Sequence, residues 1–391
     1  MPDARVKEVN KKKRKEKRET SVFFFDYTLL FITLFLLAFG LLMVYSTSSY
    51  VAELKFGRAN YYFMKQLRNT ILGLVAMIIA ANFDYKWLKR FAPWIYLSSL
   101  VLIYLVFVIG KEINGSKRWI VIKGISFQPS EYAKLAIIIF MAAFLVSIGD
   151  KIDDIKTVVK AFVLVIPAFA GIAITNLSNA IIVMAIVLIM IFASSRKYMQ
   201  FLLTGMVLVF IGAVYIMKVG YRAQRIDAWL NPETAKNGGQ TLQGLYAIGS
   251  GGIMGKGLGQ SIQKLGHVPE AQNDMIFSII CEELGLFGAI SVIVLFALMI
   301  YRFAIIIKHS NDTFGALIVM GVLGHIATQV VLNIAVVTNT IPNTGISLPF
   351  ISYGGTSVLF LLAEIGVVLS VSKRIKIEES DVEEAQIAGN R

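Results

Sequence analysis

Cysteine is almost missing from this 391-residue chain, which has only Cys281. No intramolecular disulfide can form, and a lone cysteine inside an apolar run reads as packing. Histidine is scarce as well: His267, His309 and His325 are too few and too dispersed for a metal site. Charge is thin, with 16% of residues Asp, Glu, Lys or Arg against 56% hydrophobic. A soluble globular domain carries about 25% charged residues, so that class is excluded. No Walker loop, HExxH or GxSxG occurs, and the GSGG and GKGLG runs lack a preceding strand. The formal net charge of +13 is scattered through loops instead of being gathered on one face, so no nucleic acid is expected as a partner.

What the chain has is hydrophobic length. Mean hydropathy is +0.69, and apolar runs near twenty residues recur along it, predicting an all-α polytopic integral membrane protein. About ten transmembrane helices are expected, at 27–46, 67–83, 91–110, 130–148, 158–175, 178–194, 199–218, 274–301, 313–334 and 350–371. The first run is longer than a signal-peptide core and shows no small-residue cleavage pattern, so it is expected to stay. Residues 1–22 carry nine Lys and Arg and read as a cytoplasmic tail that touches anionic lipid. Residues 23–372 form the transmembrane domain, and 373–391 a second cytoplasmic tail. An even number of spans puts both termini on one side. The basic segments DYKWLKR, DKIDDIKTVVK, SSRKY, YRFAIIIKHS and SKRIK alternate so that this side is cytoplasmic. No internal repeat is evident, which argues against an inverted-repeat transporter.

Two external segments break the charge rule. One is 111–131, with Lys111, Lys117, Arg118 and Lys123. The other is the large 219–273 loop between helices 7 and 8, with Arg222, Arg225, Lys236, Lys256 and Lys264. Cations disfavoured by topology suit a phosphate-bearing ligand at the outer leaflet; solvated loop charge is the plain alternative. The span at 130–148 opens SEYAKLA, which puts Glu131 and Lys134 one turn apart. They form either a structural ion pair or part of a polar cavity wall. Segment 338–357, TNTIPNTGISLPFISYGGTS, is uncharged and too irregular for lipid-facing helix. Such backbone is tolerated at membrane depth where it is buried or lines a cavity. Ser352, Tyr353, Gly354 and Gly355 would then be cavity wall, with a simple re-entrant turn as the alternative.

The stretch 249–288 organises the rest. A loop rich in Gly, Lys and Gln turns at Pro269 and enters an apolar segment with Asp274 at its mouth. Glu282 and Glu283 follow, roughly 12–14 Å deeper on a continuous helix. Acids at such depth are functional or paired, so the two glutamates read as functional groups or as packing pairs.

The blocks NGSKRWI…SFQPSEYAKLA, AIGSGGIMGKGLGQSIQK, VPEAQNDMIFSIICEELG and IPNTGISLPFISYGGTS, in this order, resemble the signatures of the SEDS (shape, elongation, division, sporulation) family. The similarity runs from the first span to the last. The wording is closer to the FtsW branch than to RodA, with RodA-like elongation and SpoVE-like sporulation roles as alternatives. Where many members have Pro-Asp-x-Gly-Thr, this chain reads Thr175-Asn176-Leu177-Ser178-Asn179, so no role of that motif's aspartate carries over.

The resemblance implies a peptidoglycan glycosyltransferase that polymerises lipid II at the outer face of the bacterial cytoplasmic membrane, here at the division septum. The family's catalytic aspartate falls on Asp274. Independently, a sugar hydroxyl is a weak nucleophile, and a partly desolvated carboxylate suits taking its proton. Candidate substrate-binding residues are Lys117, Arg118, Gln128, Glu131, Lys134, Arg222, Arg225, Gln243, Lys256, Lys264, Glu270 and Ser352. A divalent cation, Mg2+ or Mn2+, could share the leaving-group charge with pyrophosphate as its main ligand, since no dedicated metal cage is visible. The implied partners are lipid II, undecaprenyl-pyrophosphate-linked glycan, a class B penicillin-binding transpeptidase and other divisome membrane proteins. A lipid II flippase is the competing class, but Asp274 at the outer mouth, away from the midplane, speaks against it. A scaffold that only recruits a synthase gives no account of Asp274, Glu131 and Lys134.

Overall fold

The computed structural model describes residues 22–113, 116–122, 125–195, 197, 220–235 and 238–377. The expected span at 199–218, Lys123, Lys236 and most of both tails lie outside the described residues, as does the side chain of Arg222. Among the described residues the helices are α1 (Tyr27–Phe56), α2 (Tyr61–Asn82), α3 (Lys86–Ile109), α4 (Pro129–Ile148), α5 (Ile155–Thr175), α6 (Leu177–Ser194), α7 (Gly220–Leu230), α8 (Gly239–Gly251), α9 (Ile276–His309), α10 (Thr313–Val337) and α11 (Ser357–Ser372). Eight of these, α1–α6, α9 and α10, are long and apolar enough to cross a membrane.

Helix starts follow local chemistry. Asp26 caps α1 by accepting from the Leu29 amide at 2.8 Å, and Asp312 caps α10 through the Gly315 amide at 2.8 Å. Pro129 opens α4, where its missing N–H costs nothing. Helices α4 and α10 are the most buried spans and pack against each other; α6 packs on both, and α11 lies along α2. Ile137, Ile138, Met141, Ile186, Met190 and Ile318 fill the resulting centre without solvent contact. On α3, by contrast, Trp87, Trp94, Val101 and Val108 form an exposed apolar stripe with seven-residue spacing, the face a bilayer would cover.

Strands are few. β1 (Val22–Phe24) pairs antiparallel with β5 (Ile375–Ile377), so these two strands lie side by side. β2 (Lys111–Ile113), β3 (Ser116–Ile122) and β4 (Ile125–Phe127) form a small antiparallel sheet.

Three expectations are revised. The first helix runs ten residues beyond position 46, to Phe56. The 219–273 loop contains two helices, α7 and α8. The last span is shorter than 350–371: α11 begins only at Ser357, and residues 343–348 take no regular structure. Pro349 supplies no N–H, and Phe350 and Gly355 have φ of 63° and 56°, which together break the helix before Ser357.

Candidate active site

The site is set by a break in α9. Gly285 adopts φ 66°, ψ −163° inside the helix, a conformation open to glycine. The break frees carbonyls before it and amides after it. The Lys256 and Gly257 amides donate to the Glu282 and Glu283 carbonyls at 2.9 Å, while the Leu286 amide donates to the Gly252 carbonyl at 2.9 Å. The segment after α8 is thereby stitched backbone to backbone onto α9. Only glycine fits the seam: a Cβ on Gly255 (φ 78°) would lie 2.2 Å from the Glu283 carbonyl oxygen.

Beneath this seam the two glutamates are anchors. Glu282 pairs with Lys256 at 2.7 Å and accepts from the Ser261 hydroxyl and the Ile262 and Gln263 amides. Glu283 pairs with Lys264 at 2.7 Å and accepts from the Ser46 hydroxyl and, at 2.9 Å, the Gly259 amide. Of the two sequence readings, the packing pairs describe them. Residues Leu286–His309 alone rise about 36 Å, enough for a hydrocarbon core of about 30 Å, so neither glutamate has to sit in lipid. Lys256 and Lys264 are neutralised by these partners.

Asp274 lies just before α9 and is walled by four elements. From α10, the Asn333 amide donates to the Asp274 carbonyl at 2.9 Å and to the Ile346 carbonyl at 2.7 Å. From α8, Gln240 donates to both carboxylate oxygens at 3.3 and 3.4 Å. The third wall is the 338–356 segment, where Gly345 leaves no side chain between the backbone and Asp274 Oδ2. The fourth is the strained turn before α9, with Glu270 at φ 53° and its carboxylate on the Asn273 amide. Burial pushes the Asp274 carboxyl up to about 6, with the Glu270 charge adding to the rise. A backbone hydrogen bond, Gln240 and Arg225 oppose it.

Two of the candidate cations share this electrostatic environment. Arg118 on β3 is half-buried, and its Nε has no partner among the described residues. Its proton affinity is lowered first by burial, then by Arg225, while Asp274 counteracts both. Arg225 on α7 is exposed and donates to the Asn343 carbonyl at 2.9 Å. Lys117, next to Arg118 on β3, is exposed and faces Glu112 in the strand register.

The remaining candidates fall nearby or inside. Glu131 and Lys134 form a buried ion pair at 2.9 Å, and Asn179 from α6 reaches Glu131 at 3.3 Å. Asn179 stands in the segment that departs from the family motif, and Asn176 there caps α6. Gln128 is buried at the start of α4, its backbone N–H donating to the Thr356 hydroxyl at 3.3 Å. Ser352 is buried too, its hydroxyl accepting from the Leu348 amide at 2.8 Å. Gln243 sits one turn beyond Gln240 on α8, and it is Gln240 that contacts the carboxylate.

Sequence reasoning missed Gln240, Gln329 and Asn333. Gln329 holds the Ser347 carbonyl at 2.9 Å, as Asn333 holds Ile346. The signal was available: two amides one turn apart in an otherwise apolar helix. The β3 strand also had one, in the run Trp119-Ile120-Val121-Ile122. A buried pair between His325 and Glu364, 2.8 Å apart, joins α10 to α11 and was likewise unforeseen.

Comparison with known proteins matches this architecture. A family model described as "Cell cycle protein", spanning FtsW, RodA and SpoVE, matches residues 27–377. A probable peptidoglycan glycosyltransferase FtsW of Trichlorobacter lovleyi is 35% identical over 359 residues, covering 90% of this chain and 94% of that protein. Stage V sporulation protein E of Bacillus subtilis is 38% identical over 359 residues, covering 89% and 97%. Among solved structures, a chain described under "Structural coordination of polymerization and crosslinking by a peptidoglycan synthase complex" superposes with a TM-score of 0.76 at 26% identity, over 90% of this chain and 98% of that one. The Thermus thermophilus rod shape determining protein RodA gives a TM-score of 0.68 at 25% identity, over 90% and 97%.

Proposed function

The chain belongs to the cell cycle protein family of FtsW, RodA and SpoVE, and from that membership we propose that it is a peptidoglycan glycosyltransferase polymerising lipid II into glycan strands. The observation that carries this reading is Asp274: a carboxylate whose proton affinity burial has raised, in the field of two arginines and just before α9.

In the proposed reaction the acceptor sugar's 4-hydroxyl attacks the anomeric carbon of the lipid-linked donor. The new C–O bond forms as the bond to the pyrophosphate oxygen breaks, and undecaprenyl pyrophosphate leaves. Asp274 takes the hydroxyl proton; a carboxyl titrating near 6 is mostly ionised at neutral pH and still basic enough to accept it. Arg118 and Arg225 stabilise the charge that develops on the leaving group. A divalent cation, Mg2+ or Mn2+, would be held chiefly by the pyrophosphate. Among the described residues no three His, Cys, Asp or Glu side chains cluster to hold one, leaving Asp274 and Glu270 as the carboxylates at hand. Its contribution would be further neutralisation of the leaving group.

The same reading puts the protein in the bacterial cytoplasmic membrane with both tails cytoplasmic, acting at the division septum alongside a class B penicillin-binding transpeptidase and other divisome membrane proteins. The β1–β5 pairing supports tails on one side. The test is purified protein in detergent with lipid II, with and without a transpeptidase partner, scored for glycan strands. Strands from the parent and none from Asp274→Asn are expected. No strands from the parent under either condition, or strands at the parent rate from the variant, would refute the reading. A flippase cannot make polymer in detergent, where no compartments exist.

A further inference from the structure

We propose that Gln240 is the positioning residue for the Asp274 carboxylate, fixing both its orientation and its readiness to accept a proton. The proposal rests on the reading of Asp274 as the base and goes beyond it, because it assigns control of that base to a neutral side chain on another element.

The geometry leaves Gln240 one role. Its Nε2 lies 3.3 and 3.4 Å from the two oxygens of Asp274 and 3.4 Å from the Pro269 carbonyl. A carboxylate and a carbonyl can only accept, so the amide must present its NH2 to them. One N–H reaches the Pro269 carbonyl, which ties Gln240 to the turn that delivers Asp274; the other reaches across the carboxylate edge. Proline's locked φ stiffens that turn. Gln240 itself lies in the first turn of α8, whose far end is pressed onto α9. A Cβ on Gly251 there would sit 2.0 Å from the Cys281 carbonyl oxygen. The donor is therefore carried by a helix that cannot slide relative to α9.

The chemistry of the donor matters as much as its place. The groups facing Asp274 are Glu270 from the preceding turn, Arg225 from α7, Arg118 from β3 and Gln240 from α8. Glu270 and Arg225 are exposed, and the two arginines are the groups an incoming pyrophosphate would engage. Their hold on Asp274 changes with substrate, whereas the amide has no charge to give up. A cation in its place would depress the carboxyl by roughly 1–3 pH units and weaken it as a base. With no donor, burial would act unopposed by any neutral group's side chain. The amide keeps the carboxylate ionised without trapping it in an ion pair.

A plain strut between α8 and the 269–274 turn would use the same contacts, and pH separates the two roles. Polymerisation rates are measured between about pH 5 and pH 9 for the parent, Gln240→Ala, Gln240→Glu and Asp274→Asn, with melting temperatures at each pH. Losing the donor should move the acid limb of Gln240→Ala upward by about one unit, with the rate recovering toward the parent in alkali. In Gln240→Glu two carboxylates share the space and hold a proton between them, so the limb should move further. That variant keeps the size of glutamine and carries the test if the alanine variant does not fold. Acid limbs that superimpose on the parent, with a uniform loss at every pH or no loss, would overturn the proposal. Polymer from Asp274→Asn at the parent rate would instead sink the base reading, which is a separate result.

Discussion

Lys264 offers the sharpest test of how the site is built, because composition suggests a substrate ligand and the structure shows an anchor. Its ammonium lies 2.7 Å from Glu283 Oε1 and 2.9 Å from the Ser46 hydroxyl. The two charged side chains are 8% and 0% exposed. Replacing Lys264 with methionine keeps the stem and removes the charge. Glu283 would then keep only the Ser46 hydroxyl and the Gly259 amide. Leaving one member of a buried pair uncompensated costs about 3–5 kcal/mol. Lys256 is more accessible, at 31%, and its partner Glu282 retains four other donors. Lys256→Met should therefore cost about 1–2 kcal/mol, between the surface and buried cases. The double variant Lys264→Met/Glu283→Leu removes both charges and should regain most of the stability. Thermal melting in detergent reads all four proteins, and lipid II polymerisation is followed in parallel. An anchor predicts that the double variant melts near the parent and still polymerises. Refutation would be a Lys264→Met protein that melts like the parent, or a stable double variant without activity.

Asp274→Asn should abolish polymerisation without lowering the melting temperature. Because burial raises this carboxyl to about 6 from 3.8, the folded protein binds its proton more tightly than the unfolded chain. The group's stability contribution is full below about pH 4 and is lost as pH rises through about 6. At pH above this window the Asn variant should thus melt at or above the parent, and an unstable variant would contradict the assignment. Arg118→Ala should lower polymerisation roughly tenfold or more, the scale of one charge-assisted hydrogen bond, and Arg225→Ala should act in the same direction. Parent rates in both would remove the arginines from the leaving-group site. Gly255→Ala should fail to dock the segment after α8, because its Cβ meets the Glu283 carbonyl oxygen at 2.2 Å and its φ is 78°; an active variant with parent melting would show the seam is dispensable.

Much of this protein is legible without coordinates, because hydrophobic length is a local property. Eight of the expected spans overlap helices long and apolar enough to cross a membrane, and the turn between α5 and α6 falls at Asn176 as expected. Asp274 was legible through its place at the mouth of an apolar run, and Glu131 with Lys134 through helical spacing alone. Partner choice was not legible, since it depends on which backbones approach. A sequence shows Lys256 and Lys264 as outer-face cations; only the break at Gly285 brings the loop back onto α9 and gives each lysine a glutamate. Likewise, Gln240 and Asp274 are 34 residues apart in the chain, and no periodicity links them. Composition and periodicity determined that the chain is a helical membrane bundle with an acid at one mouth. Tertiary structure decided which charges are neutralised inside the fold, because burial and pairing are properties of contacts that the chain makes only once it is folded.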